Sequence, residues 1–244
     1  MDSLPPLTDD VILIADTLRR GLDQCLGEAV ASLFLYGAVA FPRPERWRID
    51  FDFHVLLRRP LTSAEAQEVA ALYGRTASVS ELGADLDGYF VLLADAAGAA
   101  PPRHLLKGEA RDNAWALHRA HVHAGRYFLI AGMDPVDIVP EPTWPEIEDG
   151  LRAEMAFVVA HPDATAFGIL NAARILYSIT THDAVLSKYH ASEWALDTLP
   201  SEWHEAIAAA RRWYAQDARA GDERILVEHR ARFVDYVRRS LPLT

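Results

Sequence analysis

The spacing of hydrophobic and polar positions changes along the chain and predicts its first elements. Between residues 9 and 28, apolar side chains recur every three or four positions, which is typical of a helix with one buried face. Residues 31–36 form a short apolar run ended by Gly37, which predicts a buried strand. Residues 49–57 begin with strict alternation, which predicts a strand with two unlike faces.

Two further helices and one further strand are predicted before residue 140. Thr62 and Glu65 have the spacing of a capping box, in which each side chain satisfies a backbone amide of the other residue, so a helix begins here and continues to residue 73. A strand-like run, a helical pattern and a glycine–proline turn follow at residues 86–93, 110–124 and 132–135.

Beyond the proline-rich segment at residues 140–145, the pattern is helical only. Thr143 and Glu146 have the spacing of a second capping box, and Ser201 has a side chain suited to cap a later helix. The predicted helices are 144–160, 165–181, 187–198, 201–219 and 222–240.

This order of elements predicts the fold class α+β, with two domains. Strands mixed with helices, then helices alone, indicate a mixed sheet with flanking helices followed by an all-α helical bundle. The proline-rich segment is the best linker, which gives residues 1–142 for the first domain and 143–244 for the second.

Composition and charge narrow the functional classes. The net charge of −11 disfavours nucleic acid as a partner, because that binding depends on cationic side chains, and it suits a cationic small molecule. No apolar run is long enough to span a bilayer, and the N-terminus lacks a secretory pattern. Cys25 is the only cysteine, and Lys107 and Lys188 are the only lysines. We expect a cytoplasmic monomer or weak dimer that binds neither nucleic acid nor membrane.

A pair of aspartates lies on the alternating strand. Asp50 and Asp52 are two positions apart, so both side chains point to one face, while Ile49, Phe51 and Phe53 secure the opposite face against a core. Neighbouring carboxylates repel unless a cation or a proton neutralises them, and carboxylate oxygens are ligands that Mg²⁺ prefers. The pair therefore indicates a magnesium site; the alternative is aspartates on the solvent face of a half-exposed strand.

The segment around these aspartates resembles a known signature. Gly37 ends a strand, and Asp50 and Asp52 follow after a loop, an arrangement similar to that of the DNA polymerase beta-like nucleotidyltransferase superfamily. The resemblance implies that the backbone of Gly37 and Ala38 cradles a triphosphate. It also implies that the two aspartates hold Mg²⁺ together with a third carboxylate from the next core strand, for which Asp87 is suitably placed.

A second, separate resemblance lies in the C-terminal half. The segments 170–178, Ser187-Lys188 and 193–200 are similar to the C-terminal helical domain of the streptomycin/spectinomycin adenylyltransferases, which carries an arginine, then a lysine, then an acidic-Trp-Ala run ending in Leu-Pro. This resemblance implies that Arg174 and Lys188 bind the nucleotide phosphates and that ATP is the co-substrate. The first domain is then the nucleotidyltransferase domain.

Together the two resemblances imply an adenylyltransferase. It would move AMP from ATP to a hydroxyl of a small molecule in a Mg²⁺-dependent reaction, the acceptor being an aminoglycoside such as streptomycin or spectinomycin. Asp50, Asp52 and Asp87 would be the catalytic and metal-binding residues. Asp87 would either hold the third metal-facing position or take the proton of the attacking hydroxyl. We expect the acceptor in the cleft between the domains.

The sequence departs from the family at two of these positions. Ala38 stands where the family usually has a serine, and Asp87 stands where it has a glutamate that is proposed as general base. Aspartate is one methylene shorter, which changes its reach to a substrate hydroxyl. Two alternatives therefore stay open: a catalytically degenerate protein that binds nucleotide or a partner without transfer, and an enzyme whose acceptor is another metabolite or a protein hydroxyl.

Histidines crowd a short segment of the first domain. His118 and His121 share one face of a predicted helix, with His123 close by, but no third zinc ligand is evident near them. Surface or inter-domain packing is the favoured interpretation for these three. His54 is expected on the same strand face as the carboxylates, without an assigned role.

Overall fold

The computed structural model describes residues 3–108 and 110–241, which form two compact units. The first unit contains the described residues up to Pro42 together with Ile49–Pro142. The second contains Arg43–Arg48 and the described residues from Thr143 onward. A short piece of the connection between the first two strands thus belongs to the second unit.

A mixed four-stranded sheet with helices forms the first unit. Strands β1 to β4 are Val30–Leu35, Phe51–Leu57, Leu86–Leu92 and Phe128–Gly132. Helices α1 to α4 are Asp9–Leu26, Ser63–Ala77, Leu93–Ala96 and Trp115–His123. The strand order is β3-β2-β1-β4, in which β2 and β3 are parallel and the other two pairs are antiparallel. The predicted mixed sheet with flanking helices is confirmed.

Strand β4 was not predicted from the sequence, which indicated only a turn at residues 132–135. The strand pairs with β1 along the sheet edge, with Leu33 opposite Ala131 and Leu35 opposite Phe128. It has five residues, and its burial does not alternate regularly. Its pairing comes from a strand distant in sequence, so local periodicity gives no clear signal for it.

Each face of the sheet has its own apolar cluster. On one face, Phe51, Phe53 and Val55 of β2 pack with buried side chains of α1 such as Ile14 and Leu18. Residues from β1, β2, β3 and α4 form the other cluster, which includes Phe34, Tyr36, Leu56, Val91 and Trp115. The alternation that predicted β2 thus places Asp52 and His54 on the face covered by the second cluster.

Both predicted capping boxes are present. The backbone amide of Thr62 donates to Glu65 Oε2 at 2.8 Å, and the Glu65 amide donates to Thr62 Oγ1 at 3.2 Å at the start of α2. Thr143 and Glu146 form the equivalent pair where α5 begins. These local contacts explain why the starts of both helices were predictable from sequence.

Helices alone form the described part of the second unit apart from its turns. Helices α5 to α9 are Trp144–Ala160, Thr165–Thr181, Lys188–Thr198, His204–Tyr214 and Asp222–Ser240. The prediction that Ser201 caps α8 is wrong, because Ser201–Trp203 form a separate 3-10 turn and Trp203 is the N-cap residue. The α+β fold class with a helical C-terminal region is confirmed.

Trp47, from the strand connection, lies within the second unit. It is 7% exposed, and its ring centroid lies 5.1 Å from that of Tyr189 and 5.4 Å from that of Tyr214. The next residue, Arg48, donates its backbone amide to the carbonyl of Tyr214 at 2.7 Å. This segment is therefore anchored to the helical unit by aromatic packing and by a backbone hydrogen bond.

Among the described residues, no helix has the length and apolar character needed to cross a membrane.

Candidate functional site

Asp52 and Asp87 face one another across two neighbouring strands. Asp52 lies in β2 and Asp87 in β3, and the parallel register pairs the two residues directly. Side chains at paired positions of adjacent strands point to the same face, so the carboxylates are neighbours. Asp52 is half-buried, whereas the Asp87 side chain is 51% exposed. The register thus gives a pair of carboxylates at the edge of the second apolar cluster.

Gly37 allows the Asp52 carboxylate to approach the backbone after β1. Gly37 has φ 69°, a left-handed conformation that favours glycine, and it opens a 3-10 turn at Gly37–Ala40. A Cβ on Gly37 would lie 2.9 Å from Cγ of Asp52 and closer still to its Oδ2. The amide of Tyr36 donates to the Asp52 carbonyl at 3.1 Å, which holds turn and strand together. The turn of Gly37 and Ala38 therefore lies directly against one member of the carboxylate pair.

Asp50 precedes β2 and is exposed. It is two positions before Asp52, and the amide of the intervening Phe51 donates to the carbonyl of Asp85 at 3.0 Å. Carboxylate oxygens are donors of the hard type that Mg²⁺ prefers, and the glycine turn lies beside Asp52. The register brings Asp52 and Asp87 together, whereas the three described residues whose ligand atoms lie close enough to share one metal ion are His54, Asp112 and His118.

Lys107 contacts this carboxylate set, a feature that the sequence-based prediction missed. Its Nζ lies 3.4 Å from Asp87 Oδ1 and 5.2 Å from the ring centroid of Tyr89. The ion pair is exposed on both sides, so its effect on stability is small. The ion pair matters for the site because it places the Lys107 ammonium beside Asp87.

Tyr36 lies under the same carboxylates and is buried. Burial raises its pKa well above the usual range, and the negative charges of Asp52, Asp112 and Asp87 raise it further. Tyr36 is thus a neutral phenol at all ordinary pH values.

A second polar cluster lies on the same face of the sheet. Asp112 Oδ2 is 3.3 Å from His54 Nε2 and 2.8 Å from His118 Nδ1. His54 and Asp112 have fully buried side chains, and that of His118 is 16% exposed. Burial alone would raise the pKa of Asp112, but the charge and hydrogen bond of His118, with the hydrogen bond of His54, hold it well below its usual range. Burial lowers the pKa of His54, which outweighs the opposing effect of Asp112.

The sequence analysis favoured packing roles for His118, His121 and His123, and the structure gives His118 a different environment. It pairs with Asp112, from the loop before α4, and lies near His54 of β2. His121 instead packs its ring against Phe41, and His123 Nε2 is 2.8 Å from the carbonyl of Val139. The partners of His118 come from distant segments, so spacing along the sequence did not identify them.

Arg174 and Lys188 lie in the second unit. Arg174 of α6 is 3.4 Å from Glu154 Oε2 of α5, and the same carboxylate oxygen accepts a hydrogen bond from Asn171 at 2.9 Å. Lys188, the first residue of α7, has Nζ 4.6 Å from the ring centroid of Phe167. Both cations are thus positioned by partners inside the helical unit.

Comparison with known proteins agrees with this architecture. Residues 145–240 match the family model described as "Aminoglycoside adenylyltransferase, C-terminal domain". The fold is similar to that of a spectinomycin adenyltransferase from Enterococcus faecialis, whose crystal structure holds ATP and spectinomycin. That similarity has a TM-score of 0.71 at 13% identity and covers 93% of this chain and 99% of that chain. A comparison with curated protein sequences found no match. The predicted resemblance to aminoglycoside adenylyltransferases is confirmed.

Proposed function

We propose that this protein is a Mg²⁺-dependent nucleotidyltransferase that moves AMP from ATP to a hydroxyl of a small molecule. The observation that carries the proposal is the direct pairing of Asp52 with Asp87, with the glycine turn packed against the Asp52 carboxylate. A triphosphate needs both features, since its charge must be neutralised and its oxygens need backbone donors. The family match of residues 145–240 supports the same reaction class.

Asp50 and Asp52 are the residues that would hold the metal. When bound, Mg²⁺ would neutralise charge on the α-phosphate and on the departing pyrophosphate. The turn at Gly37 and Ala38 would present backbone amides to the phosphates. Its position is fixed by the tight fit between Gly37 and Asp52 and by the hydrogen bond from Tyr36 to the Asp52 backbone.

Asp87 is the residue proposed to accept the proton. The acceptor hydroxyl would give its proton to this carboxylate while its oxygen attacks the α-phosphorus and pyrophosphate leaves. A half-exposed carboxylate is open to an incoming substrate, and the Lys107 ammonium lies 3.4 Å from it. In the second unit, the family resemblance supports Arg174 and Lys188 as phosphate-binding cations.

The acceptor is proposed to be a cationic hydroxyl compound, with an aminoglycoside such as streptomycin or spectinomycin as the first to test. The net charge of −11 supports a cationic acceptor, because an acidic protein concentrates cations near its surface. Turnover with neutral acceptors only would leave the reaction class in place and reject this substrate class.

Calorimetry of ATP binding with and without Mg²⁺ tests the proposal. The wild type should bind ATP in a Mg²⁺-dependent manner, and Asp50→Asn/Asp52→Asn should lose that dependence. Asp10→Asn/Asp23→Asn, on exposed positions of α1, is a matched control that removes the same charge. Binding that ignores Mg²⁺ or survives equally in both double variants would reject the site.

Turnover separates the enzyme from a degenerate binding protein. Pyrophosphate release with ATP and an acceptor should require Asp87, and Asp87→Asn should lower kcat while ATP affinity changes little. Mg²⁺-dependent ATP binding without pyrophosphate release across cationic and neutral acceptors would identify a nucleotide-binding protein without transfer.

A further inference from the structure

We propose that His54, Asp112 and His118 form a binding site for one divalent transition-metal ion, with Zn²⁺ as the ion that the donors suit best. Two imidazole nitrogens and one carboxylate oxygen are typical Zn²⁺ ligands. The three ligand atoms lie within 4.8 Å of one another. This site is separate in composition from the carboxylate set of Asp50, Asp52 and Asp87, and its test does not depend on any transferase activity.

One of the two ligand-atom distances in the cluster already fits a small cation, and the other requires a small shift of His118. Ligands bonded to tetrahedral zinc at about 2.0–2.1 Å are about 3.3–3.4 Å apart. His54 Nε2 and Asp112 Oδ2 are separated by 3.3 Å, which is long for a hydrogen bond and close to this spacing. His118 Nδ1 lies 2.8 Å from the same oxygen. Its side chain is on the exposed edge of the cluster, where a shift of about 0.5 Å meets the least resistance.

Two of the three donors, His54 and Asp112, are held in their orientation by the fold. The His54 ring stacks between Phe34 and Tyr89, with centroids 5.3 Å away on each side. Asp112 Oδ1 accepts the amide of Ala114 at 3.1 Å, which leaves Oδ2 directed at the two histidines. Ligands fixed in this way by surrounding contacts lose little entropy when a metal binds.

Charge favours an ion at this position. Asp112 has no exposed side-chain surface, and a buried carboxylate needs nearby positive charge. A divalent ion supplies that charge and leaves a fourth coordination position that the three protein ligands do not fill, as in catalytic zinc sites. The cluster shares a sheet face with Asp52, since His54 follows it by two positions on β2.

Cobalt and zinc titrations of the full chain test the site. After chelation, one equivalent of Co²⁺ should develop the visible absorption of a tetrahedral complex, and Zn²⁺ should abolish that absorption by displacing the Co²⁺. His118→Gln should weaken Co²⁺ binding at least 100-fold, because it removes a direct ligand. His123→Gln, on the same helix and outside the cluster, is the matched control and should bind as the wild type does.

Two further variants keep the outcome unambiguous. Asp50→Asn/Asp52→Asn should retain Co²⁺ binding, and Asp112→Asn should lose it. The proposal is overturned if the folded wild type binds no Co²⁺ or Zn²⁺, or if His118→Gln binds as well as His123→Gln. It is also overturned if binding disappears in the Asp50/Asp52 variant and persists in His118→Gln, since the ion would then sit at the carboxylate set. A folded wild type that binds neither ion overturns the proposal even where a variant does not fold.

Discussion

Replacement of Gly37 by alanine isolates the fit between the glycine turn and Asp52. The new Cβ would lie 2.9 Å from Asp52 Cγ and closer still to Oδ2. The carboxylate would have to retreat by on the order of 1 Å to restore ordinary van der Waals separation. The left-handed conformation at φ 69° adds a backbone cost of about 1–2 kcal/mol for any residue with a Cβ.

Gly125 provides a control that carries the backbone cost alone. Its φ of 68° is nearly that of Gly37, it lies in the same unit, and a Cβ there would meet nothing within 4 Å. Gly125→Ala should therefore lose about 1–2 kcal/mol of unfolding free energy and keep its ligand affinity. Gly37→Ala should lose at least that much stability and, in addition, about 100-fold in Mg²⁺-dependent ATP affinity, because a displacement near 1 Å disrupts a preorganised site.

Urea unfolding measures the stability of each variant, and calorimetry measures its Mg²⁺-dependent ATP affinity. The ATP affinities of the two variants should diverge while both proteins remain folded at the assay temperature. If Gly37→Ala binds Mg²⁺ and ATP as tightly as Gly125→Ala, then the Asp52 carboxylate does not serve the proposed site, and the contact with Gly37 is only a matter of packing.

Three further predictions concern stability. The Arg212 guanidinium bonded to Asp222 lowers the pKa of that carboxyl to about 2, so the ion pair stabilises the fold above about pH 4 and the stabilisation is lost as the pH falls from about 4 to 2. In Asp222→Asn, the free energy of unfolding measured in urea should therefore depend less on pH across that window. A pH dependence equal to that of the wild type would contradict the assignment. Thr62→Ala should cost about 1 kcal/mol in urea unfolding by removing the capping box with Glu65, and no loss would mean that the box is not formed in solution. Phe53→Ala, at a fully buried position, should cost about 3–5 kcal/mol in the same assay, whereas a loss under 1 kcal/mol would argue against the described core.

Local chemistry explains which parts of the fold the sequence could predict. The capping boxes at Thr62 and Thr143 act within one turn, and the alternation at the start of β2 reflects an apolar face and a polar face, so both features are visible in short windows of sequence. Strand β4 depends on pairing with β1 and was missed for that reason. The 3-10 turn that displaces the start of α8 from Ser201 likewise reflects the packing of Trp203.

The sequence proposed the candidate site from two kinds of signal. Asp50 and Asp52 were proposed from their spacing, and Asp87 from its place on the next core strand in the family resemblance. Their direct register is a structural finding that spacing alone could not give. Lys107 approaches Asp87 from 20 positions away, and Asp112 meets His54 across 58 positions. For Lys107 the one available signal was the rarity of lysine in this chain.

The assignment of Trp47 to the helical unit has a consequence for biosynthesis. Its aromatic partners Tyr189 and Tyr214 leave the ribosome long after the sheet strands on either side of it. Until then the Arg43–Arg48 segment lacks the partners that it packs against in the folded protein. A gene truncated after residue 142 would encode every strand of the sheet and still leave this indole exposed, which makes the two units poor candidates for separate expression.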